Sequence, residues 1–119
     1  MYKAKYLSPM ISSFDMKETV LFFQNLLDFK ITINESAYAI LHKDNLTIHI
    51  LPTNPGIGQM EFYLEVDNIQ QVWNSIKNKL DGLKFKEPFD REYGMREIHI
   101  GVPKTNTLLF IGQAVKKST

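Results

Sequence analysis

Three histidines, His42, His49 and His99, and a glutamate two positions before the last of them are the side chains best suited to acid–base or ligand chemistry. The stretch Arg96-Glu97-Ile98-His99-Ile100-Gly101-Val102 alternates. A strand there places Ile98, Ile100 and Val102 on one face and Glu97, His99 and Gly101 on the other. Glu61 to Val66 alternates in the same way, with Glu61 and Tyr63 opposed to Phe62, Leu64 and Val66. If the apolar faces turn towards helices, Glu61, Tyr63, Glu97 and His99 line a polar surface that holds acid and base groups, and Glu61, Glu97 and His99 are the catalytic candidates. The competing reading is a polar sheet face against water or a neighbouring subunit. His49 lies in a strand that is apolar on both sides and reads as a hydrogen-bonded packing residue, whereas His42, beside Lys43-Asp44, reads as solvated.

Other chemistries lack their residues. With no cysteine, disulfides, thiolate metal sites and cysteine nucleophiles are excluded. No Gly-x-Ser-x-Gly elbow, P-loop or dinucleotide fingerprint occurs, and Gly56-Ile57-Gly58 is too short for a phosphate cradle and precedes a strand rather than a helix. Fourteen basic against thirteen acidic residues leave a net charge of +1, and Lys116-Lys117 is the only run of like charge, so no nucleic-acid partner is expected. No long apolar run or charged leader points to a membrane, and a soluble cytoplasmic protein is expected.

These residues need strands and helices to hold them, and 119 residues at 44% hydrophobic and 23% charged suit one domain spanning residues 1–119. Ser8 to Phe14 reads as a strand. Asp15, with Glu18 in capping-box spacing, opens a helix whose apolar residues Met16, Val20, Phe23 and Leu27 recur at spacings of four, three and four. Phe29–Asn34, Ala37–His42 and Leu46–Leu51 read as strands joined by short polar turns, followed by a Pro/Gly-rich connector at 52–58. Glu61–Val66 is the next strand. Asn68 caps a second helix, Ile69 to Leu80, ending at Asp81-Gly82, and strands follow at Lys84–Glu87, Arg96–Val102 and Thr107–Gly112. Trp73, Phe22 and Phe23 fall on the helical stripes and read as packing.

The order β-α-β-β-β therefore occurs twice. Aligning Asp15 with Asn68 pairs Ser8 with Glu61, Ile11 with Leu64 and Met16 with Ile69, and Asn45 before the fourth strand matches Asn106 before the eighth. The expected fold is α+β: module one at about 1–51, module two at about 59–113 and a tail at 114–119, forming a mixed, curved sheet with a concave face.

Two such modules in about 120 residues resemble the glyoxalase/bleomycin-resistance superfamily, also called vicinal oxygen chelate proteins. Asp15-Met16, Val20 to Phe23 and Leu27-Asp28-Phe29 resemble that family's helix, where an aromatic pair precedes Leu-Gly-Phe. Tyr93-Gly94-Met95-Arg96-Glu97, Asn106 and Phe110-Ile111-Gly112-Gln113 are similar to the bleomycin-resistance branch. Asp28 replaces a glycine but tolerates the left-handed conformation of a helix end. The family's Asp-Pro-Asp-Gly-Asn turn becomes Val102-Pro103-Lys104-Thr105-Asn106, which leaves Asn106 to take any positive φ.

The resemblance implies metal-ligand positions at Ser8, Glu61 and Leu109, of which only Glu61 can bind a cation, so no metal or other cofactor is expected. It implies a homodimer that binds a small organic molecule on a concave face lined by Met10, Ser12, Glu61, Tyr63, Glu97, His99 and Leu109. The alternative it leaves is a lyase, isomerase or dioxygenase with a metal site rebuilt from Glu61, Glu97, His99 and His49.

Overall fold

The computed structural model describes residues 3, 5, 8–54, 56 and 58–115. Module one contains β1 (Met10–Ser13), α1 (Met16–Leu27), β2 (Lys30–Asn34), β3 (Ala39–Lys43) and β4 (Leu46–Pro52). Module two contains β5 (Met60–Glu65), α2 (Ile69–Ile76), β6 (Phe85–Asp90), β7 (Met95–Gly101) and β8 (Thr107–Ala114). Each builds a four-stranded sheet, ordered β1-β4-β3-β2 and β5-β8-β7-β6. In both, the first strand runs parallel to the last and the other pairs are antiparallel. The fold is α+β with two βαβββ modules, and the sheets do not close.

Caps set the helices. The Asp15 side chain accepts from the Glu18 amide at 3.3 Å, and Asp28 ends α1 at φ 61°, its own N–H reaching the Phe23 carbonyl. The Asn68 side chain accepts from the Gln71 amide at 3.0 Å, and Gln113 on β8 accepts from the Ile69 amide at 2.8 Å, which fixes α2 to its own sheet. Helix α2 stops at Ile76, short of the expected Leu80. The chain continues as turns, with Lys79 N–H bonded to the Ile76 carbonyl and Leu83 N–H to the Leu80 carbonyl, and Leu80 stays buried. Gly82 takes a positive φ within those turns rather than at the helix end.

The core lies between helices and sheets. Ile11, Ile48, Ile50 and Leu41 meet Val20, Phe22, Phe23 and Leu27 in module one, while Ile98, Ile100, Leu109 and Ile111 face Ile69 and Ile76 in module two. Phe23 and Phe62, with ring centroids 6.3 Å apart, join the two halves. The modules are also tied at the turn before β8, where Phe14 N–H donates to the Lys104 carbonyl at 2.8 Å and buried Thr19 Oγ1 donates to the Pro103 carbonyl at 2.9 Å. In that turn Lys104, not Asn106, carries the positive φ, 61°. Strand β6 reaches Asp90, beyond the expected Glu87, by absorbing an irregularity between Lys86 and Phe89 that accommodates Pro88. The expected tail starts inside β8, and Lys116 to Thr119, like Pro55 and Ile57 of the connector, lie outside the described residues.

Candidate functional site

Strand register assembles one face of the second sheet, the face turned away from α2. Lys84, Gly101, Leu108 and Glu61 form one row across it, and Lys86, His99, Phe110 and Tyr63 the next. Phe89, Glu97, Gly112 and Glu65 form the third. Alternation places Ile98, Ile100 and Leu109 on the helix side, as their burial and the Trp73–Phe85 contact at 6.2 Å require.

Glu97 is the centre of this face. Its side chain is fully buried, and each carboxylate oxygen meets two donors. The Tyr63 hydroxyl at 2.8 Å and the Tyr93 hydroxyl at 2.6 Å donate to Oε2. His99 Nε2 at 2.8 Å and the Arg91 guanidinium at 3.3 Å lie against Oε1. Burial raises the proton affinity of Glu97, but the bonds from Tyr93, His99 and Tyr63 outweigh it and hold the carboxyl below the usual range. An ionised carboxylate only accepts, so Nε2 of His99 carries the proton of that bond and Nδ1 is the ring nitrogen left free of Glu97. Burial, then the Glu97 bond and charge, push the Tyr63 phenol upward, and the Glu97 bond does the same at Tyr93.

Aromatic packing orders the remaining groups. The His99 ring stacks on Phe110 with centroids 4.0 Å apart and meets Phe89 edge-on at 4.9 Å. Tyr63 leans across β8 above Gly112, where any Cβ would collide with its ring and hydroxyl. The arrangement offers a fixed imidazole, a stacked aromatic surface and cationic side chains, Lys86 and Arg91, over Phe89.

The expected site residues separate into three groups. Tyr63, Glu97 and His99 come together in direct contact, and Glu61 lies exposed on the same face one row away. Met10 and Ser12 belong to the first sheet, where Met10 stands opposite His49. Leu109 is a correction: it is buried on the helix side opposite Phe62 and Ile100, so β8 contributes Leu108, Phe110 and Gly112 to the open face instead. His49 turns away from Ile48 and Ile50 and lies half-buried with Met10 and Ile40, which settles its direction away from the core. His42 is exposed, as expected, with Nδ1 2.7 Å from Thr32 Oγ1. Sequence reading missed Arg91 and Tyr93 as partners of Glu97, together with Phe89, Phe110 and Lys86.

The metal positions that the resemblance implies do not form a ligand set. Ser8 Oγ donates to the Thr47 carbonyl at 2.6 Å, Glu61 projects from β5 and Leu109 is in the core. A rebuilt site fares no better, because Glu97 is engaged by four internal donors and His49 lies on the other sheet. Among the described residues no three His, Asp or Glu side chains converge as a cation would need. A separate recess of about 520 Å³ lies between the end of α1, the β3–β4 hairpin and the start of α2, and none of the expected site residues lines it.

The paired β1-β4-β3-β2 and β5-β8-β7-β6 sheets decide the architecture. The chain has the glyoxalase/bleomycin-resistance fold. It is similar to the bleomycin-binding protein of Streptomyces verticillus, solved with copper(II)-bleomycin, at a TM-score of 0.80 and 16% identity over 98% of this chain and 100% of that one. It is similar to the bleomycin resistance determinant of transposon Tn5 at a TM-score of 0.78 and 19% identity, over 93% and 98% of the two chains. Lactoylglutathione lyase from Agrobacterium tumefaciens superimposes at a TM-score of 0.76 with 9% identity, over 93% and 94%. No family model matches the sequence, and no curated protein matches it significantly. Within this fold, binding proteins and an enzyme share one backbone, so function has to be argued from the side chains.

Proposed function

We propose that this chain is a metal-independent binding protein that takes up a small organic molecule on the open face of its second sheet, as a homodimer in which a partner subunit covers that face. The Glu97 network carries the proposal. The carboxylate that lies inward on this face spends both oxygens on Tyr63, Tyr93, His99 and Arg91, which leaves it a scaffold for an aromatic surface and not a ligand for a cation. The structures with bound bleomycin support small-molecule binding as a use of this fold.

One observation favours a second reading as an isomerase or lyase. His99 Nε2 is held by buried Glu97, so Nδ1 is an oriented base that can accept a proton from a bound substrate.

The test is a thermal-shift and ligand-observed NMR screen with neutral aromatic fragments such as indole. His99→Ala should abolish binding and His42→Ala should leave it unchanged. Tight divalent-metal binding that is lost in Glu61→Ala or His99→Ala would overturn the proposal in favour of a metalloenzyme.

A further inference from the structure

We infer that the ligand is a planar aromatic carboxylate, its ring seated against His99 and Phe110 and its anionic group held by Lys84 and Lys86; this rests on the binding reading above. Lys86 stands opposite His99 in the β6–β7 ladder, and Lys84 stands opposite Gly101, its carbonyl accepting from the Gly101 amide at 2.8 Å. Both residues therefore stand on the same edge strand and on the same face, Lys86 directly beside the ring stack and Lys84 one row away. Among the described residues neither is ion-paired, whereas Arg91 is engaged by Glu92 and Glu97. Lys86 Nζ already lies 4.9 Å from the Phe89 ring centroid, drawn over the face.

Gly101 supplies the room. It has no side chain, and the nearest atom to a Cβ built there is Lys84 Cβ at 3.5 Å, so the face is open by one side chain beside Lys84, next to His99 along β7. The opposite edge fixes the ligand's direction. Glu61 and Glu65 lie on β5, three strand spacings or about 14 Å away, and they repel a carboxylate from that end. An aromatic cation would be drawn off the His99 stack towards those glutamates. Lysines on an edge strand also discourage edge-to-edge pairing, a role that makes no demand on ligand charge.

Calorimetric titration with 2-naphthoate and its uncharged isostere 2-naphthamide separates these roles. The wild-type chain should bind naphthoate about tenfold more tightly than naphthamide, the scale of one charge-assisted contact. The double variant Lys84→Glu/Lys86→Glu, both sites exposed, should lose that preference and retain naphthamide, and His99→Ala should lose both probes. Equal affinity for the two probes, or naphthoate binding unchanged in the lysine variant, would overturn the charge assignment while leaving the binding face intact. Binding indifferent to His99→Ala but weakened by Leu46→Glu, in the recess between the modules, would overturn the face itself. Failure of both probes to bind the wild-type chain would overturn the inference, with the indole screen still deciding the broader reading.

Discussion

The Tyr63 ring passes directly over the bare Cα of Gly112 on its way from β5 to Glu97 on β7. This single missing side chain lets an outer strand of the sheet bond to a strand two places away. Gly112→Ala should therefore displace Tyr63 and cost about 1–3 kcal/mol, the penalty for overpacking and a lost charge-assisted bond. Glycine is otherwise unfavourable within an element, so in a Tyr63→Leu background the same substitution should be neutral or stabilising. Denaturant melts of the four proteins in this cycle check the reversal, and equal effects in both backgrounds would refute it.

Acid should act through Glu97. Its folded-state pKa is lowered, so its contribution is complete above the unfolded value near about 4.3 and is lost as pH falls through the folded one. Stability should decline below about pH 4, less steeply in Glu97→Gln. That variant should cost about 2–3 kcal/mol at pH 7, because an amide cannot accept from all four donors. Urea melts from pH 2.5 to 7 measure both.

Base should act through Tyr63 and Tyr93. Tyr63 and Tyr93 are held above the ordinary phenol value of about 10, so their share of stability is present below that pH and is lost as pH rises through their folded values. Absorbance at 295 nm should show the Tyr63 and Tyr93 phenols ionising late, each identified by its loss in Tyr63→Phe and Tyr93→Phe. Glu97→Gln should move Tyr93 most towards ordinary behaviour, because its bond to Glu97 is the leading cause of its shift.

Assembly follows from the open sheets. Among the described residues the outer strands β2, β5 and β6 have no second partner strand, and the Tyr63 face exposes aromatic surface, so a two-fold partner that covers both is the expected remedy. Light scattering at micromolar concentration should give twice the 13.8 kDa chain mass. A particle of monomer mass would count against the dimer.

The element order, both helix starts and the pairing of Glu97 with His99 on one face were legible because caps and period-two alternation are local signals. Leu109 was misplaced because Leu108 to Ile111 is apolar throughout, so alternation cannot say which residues face the helix, and only the pairing with Phe62 and Ile100 decides. Arg91 and Tyr93 sit at the β6–β7 turn, where no periodicity operates, and their convergence on Glu97 depends on how the chain reverses at Gly94, φ 86°. Lys104 takes the left-handed position because the turn is tied from outside, by Phe14 and Thr19 of the other module.

The parallel pairing of β5 with β8 has a kinetic meaning. Strands β6, β7 and β8 are neighbours in sequence and can zip as a meander, gathering Arg91, Tyr93 and His99 around Glu97 early. Strand β5 joins only after a loop of more than 40 residues closes, at an entropic cost that grows with its length, so the Tyr63 bond forms late. In stopped-flow experiments Arg91→Ala should slow folding, whereas Tyr63→Phe should mainly speed unfolding. A buried carboxylate shared by four donors thus has a history, with three arriving together and the fourth acting as a latch on the finished sheet.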